Sequence, residues 1–167
     1  KHGFKSRYYF RRLPSRTPYY DLTDAARDVE LIQSKALLII LDNGSGEEDL
    51  LAINLMKLNN AKVAVVDHHN PFPEIDEVVD VQINPHLVGG DSNICSGMLC
   101  YELASHIGEV DKLFAALSGV SDRCNGLEIK QYLKGYNEEE LMDIAICVDF
   151  IAYYTKHIDS KLIEEVM

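Results

Sequence analysis

Residues 67–69 read Asp-His-His directly after the apolar run at 62–66. Adjacent side chains on a strand point to opposite faces, but on the turn that ends it two imidazoles can reach one cavity. One can bind a metal while the other contacts a substrate anion; the plainer alternative is a solvated polar pair in a surface loop. Asp42 holds the corresponding place after the apolar run at 36–41, where Asp-Asn-Gly is also ordinary turn chemistry. Asp122, after the apolar stretch 114–120, is the candidate second carboxylate, or simply a polar helix end. Two carboxylates and an imidazole make an O/N donor set that suits manganese, with magnesium as the second choice, better than structural zinc.

The elements that must position these residues follow from pattern. Residues 6–13 alternate aromatic and basic side chains as a strand does, and Pro14 and Pro18 then impose a loop. Asp21 or Thr23 caps a helix running to about Gln33. The uninterrupted apolar run 36–41 reads as a strand buried on both faces. Ser45 and Glu48 have capping-box spacing for a helix to Leu58, and 62–66 is a second buried strand. A further strand is expected over 78–83, with helices over 94–107, 111–121 and 138–158. Strand, helix, strand in this order builds a doubly wound parallel α/β sheet flanked by helices. Asp42 and Asp67 then stand at the carboxyl edge of the strands, where open α/β sheets bind ligands.

Weaker signals surround these. Gly89 and Gly90, before a helix, offer a backbone amide to a phosphate or merely make a helix-entry turn. Arg123 contacts phosphate or neutralises nearby acid, and Cys95, Cys100, Cys124 and Cys147 are most simply buried or half-buried thiols. His86, His106 and His157 lack ligand-like neighbours in sequence and read as structural.

The chain has 167 residues, 47% hydrophobic and 26% charged, which fits one globular domain and excludes a disordered tail, a collagen repeat or a coiled-coil rod. No apolar run reaches the ~18–20 residues of a membrane span, and four cysteines without C-x-x-C spacing suggest neither disulfide framework nor zinc ribbon. A reduced, cytoplasmic protein with no membrane partner is expected. The net charge of −11 argues against nucleic acid, yet residues 1–20 hold six basic side chains and no acid. A basic segment including Arg11 and Arg12, interleaved with tyrosines, suits single-stranded nucleic acid through backbone and base contacts, or is a solubilising sheet edge.

The runs Leu-Asp-Asn-Gly (41–44), Val-Val-Asp-His-His-Asn (65–70), Asn-Pro-His-Leu-Val-Gly-Gly-Asp (84–91) and Leu-Ser-Gly-Val-Ser-Asp-Arg (117–123) together resemble the DHH phosphoesterase superfamily. Within it the chain is most similar to archaeal RecJ-like proteins. The resemblance implies a two-manganese phosphoesterase in which Asp42 bridges the metals, His68 and Asp122 hold one of them, His69 contacts the scissile phosphate and Asp67 orients its neighbours. Among these, Asp42, Asp67, His68, His69 and Asp122 are the implied catalytic set, with Gly89, Gly90, Arg123, Arg11 and Arg12 on the substrate side.

The family's first motif, Asp-x-Asp at a strand end, has no counterpart here, and neither has its C-terminal accessory domain. The resemblance therefore implies that residues 1–167 are one N-terminally truncated DHH-type domain, holding at most one metal and inactive by itself. In the full-length protein it implies exonucleolytic hydrolysis of single-stranded DNA or RNA, alongside replication or repair proteins. Two rivals are a phosphodiesterase of short oligonucleotides, cyclic dinucleotides or (poly)phosphate, and a non-catalytic replication scaffold.

Overall fold

The structure is a computed structural model and describes residues 19–31 and 36–154. The strand expected at 6–13, with Arg11 and Arg12, lies outside the described residues, as does the end of the helix expected to reach 158.

Helix α1 (Leu22–Leu31) starts where the Asp21 carboxylate accepts the amides of Thr23 and Asp24, at 2.8 and 3.1 Å. Of the two expected caps, Asp21 is the one used. Strand β1 (Leu37–Leu41) follows, then helix α2 (Leu50–Leu58), strand β2 (Lys62–Val66), helix α3 (Pro73–Val78) and strand β3 (Val81–Ile83). The three strands are parallel, in the order β1-β2-β3, with Leu37 opposite Lys62 and Ala64 opposite Val81. Helix α4 (Ser96–Ser105), helix α5 (Leu113–Ser121), the short α6 (Ile129–Leu133) and α7 (Glu138–Tyr154) complete the order. A parallel α/β sheet flanked by helices is what the alternation of short apolar runs with helical periods predicts.

Two cores hold these layers. Ile40, Val63 and Val65 meet Ala25 of α1, Ile53 and Met56 of α2 and Ile75 of α3. Fully burying side chains of this size is worth about 1.5–3 kcal/mol each, so this cluster fixes which face of each helix lies on the sheet. The second core joins Met98 of α4 to Ala115, Ala116 and Val120 of α5, with Tyr132 and Leu141 from α6 and α7. Helix α4 reaches β2, which brings the two cores side by side.

Three local expectations are corrected. Strand β1 is not buried on both faces: Leu38 and Ile40 face the core, while Leu37, Ile39 and Leu41 are 62%, 54% and 52% exposed. Helices α1–α3 pack on the first face, and no described helix covers β1 on the other. Strand β3 is shorter than expected, because Pro73 starts a helix that consumes residues up to Val78. Ser45 and Glu48 form no capping box. A 3-10 turn, Glu47–Asp49, opens this stretch instead, and the buried Asp49 carboxylate accepts the Gly46 amide at 2.7 Å and the Tyr20 amide at 2.6 Å. Asp49 thereby ties the lead into α1 to the loop after β1.

Candidate metal centre

The loop after β1 is a forced turn. Asp42 still donates its amide to Val66 O at 2.9 Å, extending the ladder by one bond, but its φ of 60° turns the chain sharply. Left-handed backbone costs an ordinary residue about 1–2 kcal/mol, and Asp is among the few that visit it. Gly44 follows with φ 95°, so close to the core that a Cβ there would meet Ile40 and Val65 methyls at 3.1 and 3.2 Å. The result is an Asp42 carboxylate standing in solvent at the strand's carboxyl end.

The loop after β2 answers it. Asp67 donates its amide to Ile83 O at 3.0 Å, and its side chain, only 2% exposed, turns back beneath the loop. Oδ1 accepts the amides of His68 and His69, at 2.8 and 3.3 Å, and the Nδ1–H of His69 at 2.6 Å. Oδ2 accepts the Ser45 amide at 3.2 Å, joining the two loops. Burial alone would raise the Asp67 pKa, but the His69 hydrogen bond and charge and a hydrogen bond from the Ser45 side chain outweigh it and hold Asp67 low. The same hydrogen bond raises His69; partial burial works against it, and the charges of Asp67, Asp42 and Asp122 add to it.

The imidazoles therefore have assigned ends. His69 gives Nδ1 to Asp67, and His68 has Nδ1 3.0 Å from the Ser92 carbonyl, which can only accept. The ring centroids lie 4.6 Å apart, and His68 Nε2 lies 3.5 Å from Asp42 Oδ1. One donor atom each from Asp42, His68 and His69 falls within 4.8 Å of the others, a spacing one cation can span. Asp122, at the C-terminal end of α5, lies within electrostatic reach of all three. Partial burial and then the Asp42 charge raise its pKa; His68, the Cys95 thiol and His69 pull it back. Two carboxylates, the charge of one raising the pKa of the other, stand beside an imidazole at a place where a cation lowers the energy of all of them.

The donor chemistry thus fits a hard divalent ion. The comparisons with known proteins bear on the same region. The chain is 34% identical over 189 aligned residues to the uncharacterized protein MJ1198 of Methanocaldococcus jannaschii, covering 92% of this chain and 25% of that protein. It superposes with a TM-score of 0.80 and 35% identity on a solved chain described as a member of the s1p family of ribosomal proteins, PF0399 DHH domain. That match covers 88% of this chain and 39% of the other. The fold is that of a DHH domain. It suggests a phosphoesterase-type superfamily. A comparison with protein-family profiles found no match. The chain spans about a quarter of the curated relative and well under half of the solved one.

In this fold, Asp42, Asp67, His68, His69 and Asp122 come together from three loops. Arg123 follows Asp122 with φ 55° and an exposed side chain. Gly90 spends its amide on Pro85 O at 2.9 Å, so that amide closes a turn and does not reach for a phosphate. Residues to which sequence reasoning gave no place in the site support the set. Ser45 and Asn84 are buried; Asn84 Nδ2 donates to Ser45 Oγ at 3.2 Å and to the His69 carbonyl at 2.8 Å. Cys95 touches Asp122, and Cys100 lies near enough to Asp42 to feel its charge. The signal for Asn84 was its place before Pro85 in the run 84–91; Ser45 and Cys95 carried none for a place in the site. Among the described residues no helix is long and apolar enough to cross a membrane.

Proposed function

We propose that this domain, in the full-length protein, supports manganese-dependent hydrolysis of phosphodiester bonds in single-stranded nucleic acid. The observation that carries the proposal is the grouping of Asp42, His68 and His69 donor atoms within 4.8 Å at the carboxyl edge of a DHH-type sheet. Asp42, His68 and Asp122 would hold the ion, with magnesium as the weaker substitute. The ion would supply Lewis-acid stabilisation of phosphate charge.

The chain's own residues do the rest. Asp67 holds His69 as a hydrogen-bonded pair, which raises the His69 pKa and favours the charged form of the ring. An imidazolium suits a phosphate oxygen, whereas His68, whose Nδ1 is given to a carbonyl, keeps the Nε2 lone pair that a metal needs. Arg123 stands beside Asp122 and would meet the substrate backbone, as would Arg11 and Arg12. The description of the solved relative as an s1p-family ribosomal protein favours RNA among single-stranded substrates.

The test is manganese titration by calorimetry followed by turnover on single-stranded RNA, single-stranded DNA, dinucleotides and polyphosphate, for this chain and the full-length protein. Manganese binding with hydrolysis of long strands, abolished by Asp42→Ala, supports the proposal. Preference for dinucleotides or polyphosphate would move the substrate class. No manganese-stimulated hydrolysis, with Asp42→Ala indistinguishable from the parent, would leave a scaffold in place of an enzyme.

A further inference from the structure

His86 reads as structural in sequence, yet it ends a chain of hydrogen bonds that begins at His68. Asn84 caps the 3-10 turn Pro85–Val88 by accepting the His86 amide at 3.0 Å. Gly89 then turns at φ 82°, and Gly90 closes on Pro85 so tightly that a Cβ would meet the Pro85 carbonyl oxygen at 3.1 Å. This turn brings Ser92 back against His68. The Ser92 hydroxyl donates to the His68 carbonyl at 2.9 Å and lies 3.0 Å from His86 Nε2, while the Ser92 carbonyl is 3.0 Å from His68 Nδ1. The hydroxyl has one proton and gives it to the His68 carbonyl, so His86 Nε2–H is the donor to Ser92 Oγ.

We propose that Ser92, held by His86, is the positioning residue that sets the orientation and tautomer of His68. The two bonds from Ser92 grip His68 at its backbone and at its ring, so the ring cannot turn without losing the carbonyl. With Nδ1–H fixed on that carbonyl, the lone pair is on Nε2, the atom facing Asp42. Outer partners of this kind typically change metal affinity or activity 10–100-fold when removed. The consequence for metal affinity rests on the manganese reading above; the tautomer does not.

The experiment therefore reads both in the 167-residue protein. Long-range proton–nitrogen NMR of the metal-free, 15N-histidine-labelled protein at about pH 8, where an ordinary histidine is neutral, assigns the tautomer of His68. The parent shows the Nδ1–H form. Ser92→Ala and His86→Ala convert it to a mixture, whereas Ser92→Thr and His86→Gln, which keep the hydroxyl and the donor, retain it. Manganese affinity by calorimetry falls about tenfold or more in the two alanine variants and recovers in the conservative pair. A His68 tautomer unchanged in Ser92→Ala and His86→Ala overturns the proposal, as does equal loss in alanine and conservative variants. If manganese does not bind the parent but the tautomer shifts as described, the positioning role stands and the metal reading falls.

Discussion

The Asp67 carboxylate accepts the His69 Nδ1–H at 2.6 Å from beneath the loop, so the residue that heads the Asp-His-His run is buried while His69 stands in solvent. Its work is to hold charge in place. Removing one partner of such an arrangement leaves amides and an imidazole without their acceptor.

Asp67→Asn is therefore expected to destabilise the metal-free protein by about 2–4 kcal/mol, read from denaturant unfolding, with Ser45 and both histidine amides losing charge-assisted bonds. The effect depends on pH in two directions. Asp67 is lower in the folded protein, so its stabilisation is full above its unfolded pKa of about 3.9 and lost as pH falls through the folded value. His69 is higher when folded, so its share is full below an unfolded pKa of about 6.5 and lost as pH rises through the folded value. The gap between parent and variant is expected to be widest between about pH 4 and 6.5 with chelator present. A gap constant from pH 3 to 9 would contradict the pairing.

His69 and Asp122 are expected to separate in function. Asp122→Ala should weaken manganese binding by about tenfold or more, as loss of a carboxylate ligand requires. His69→Ala should leave manganese affinity within about twofold while lowering turnover about 100-fold, the scale of a lost charge contact to the reacting group. Calorimetry and single-turnover hydrolysis check the two arms. The reverse pattern would make His69 a ligand, which its place among the grouped donor atoms also permits.

Asp80 bridges the opposite end of the sheet. Its carboxylate lies 2.5 Å from Lys57 Nζ and 2.7 Å from Lys62 Nζ, and accepts the Val63 amide at 2.8 Å. The hydrogen bonds from Lys57 and Lys62 hold its pKa well below the usual carboxylate range. Stabilisation from a depressed carboxylate is present above its unfolded pKa and lost as pH falls through the folded one. Asp80→Asn is expected to lower Tm at pH 7, with the difference narrowing only below about pH 4. Much of it should also vanish in about 1 M salt, since the pair faces solvent.

Helices α4 and α5 approach closely at Gly97. A Cβ there would fall 2.0 Å from Ser118 Oγ and 2.3 Å from its Cβ. Gly97→Ala is expected to cost about 1–3 kcal/mol by overpacking. Ser118→Gly in the same chain should recover most of it, measured by thermal unfolding. Because Cys95 precedes α4 and touches Asp122 at the end of α5, Gly97→Ala should also weaken manganese binding.

Much of this was legible from residue order. Short apolar runs at 36–41 and 62–66, each followed by Asp, set two parallel strands and put Asp42 and Asp67 at their carboxyl ends, because period and length decide strand and helix locally. The motif runs carried the DHH resemblance, which the solved relative supports at the level of fold. What only the tertiary structure decided is who holds whom. Ser45 joins Asp67 across 22 residues, Asn84 joins Ser45 across 39, and Ser92 and His68 meet across 24. Such partners leave no periodic trace, since a buried polar group is satisfied by whichever donor or acceptor the packed chain brings within 3 Å or so. The sequence therefore determined which chemistry stands at the sheet's edge; packing determined that Asp67 holds His69, and that His68 turns Nε2 toward Asp42.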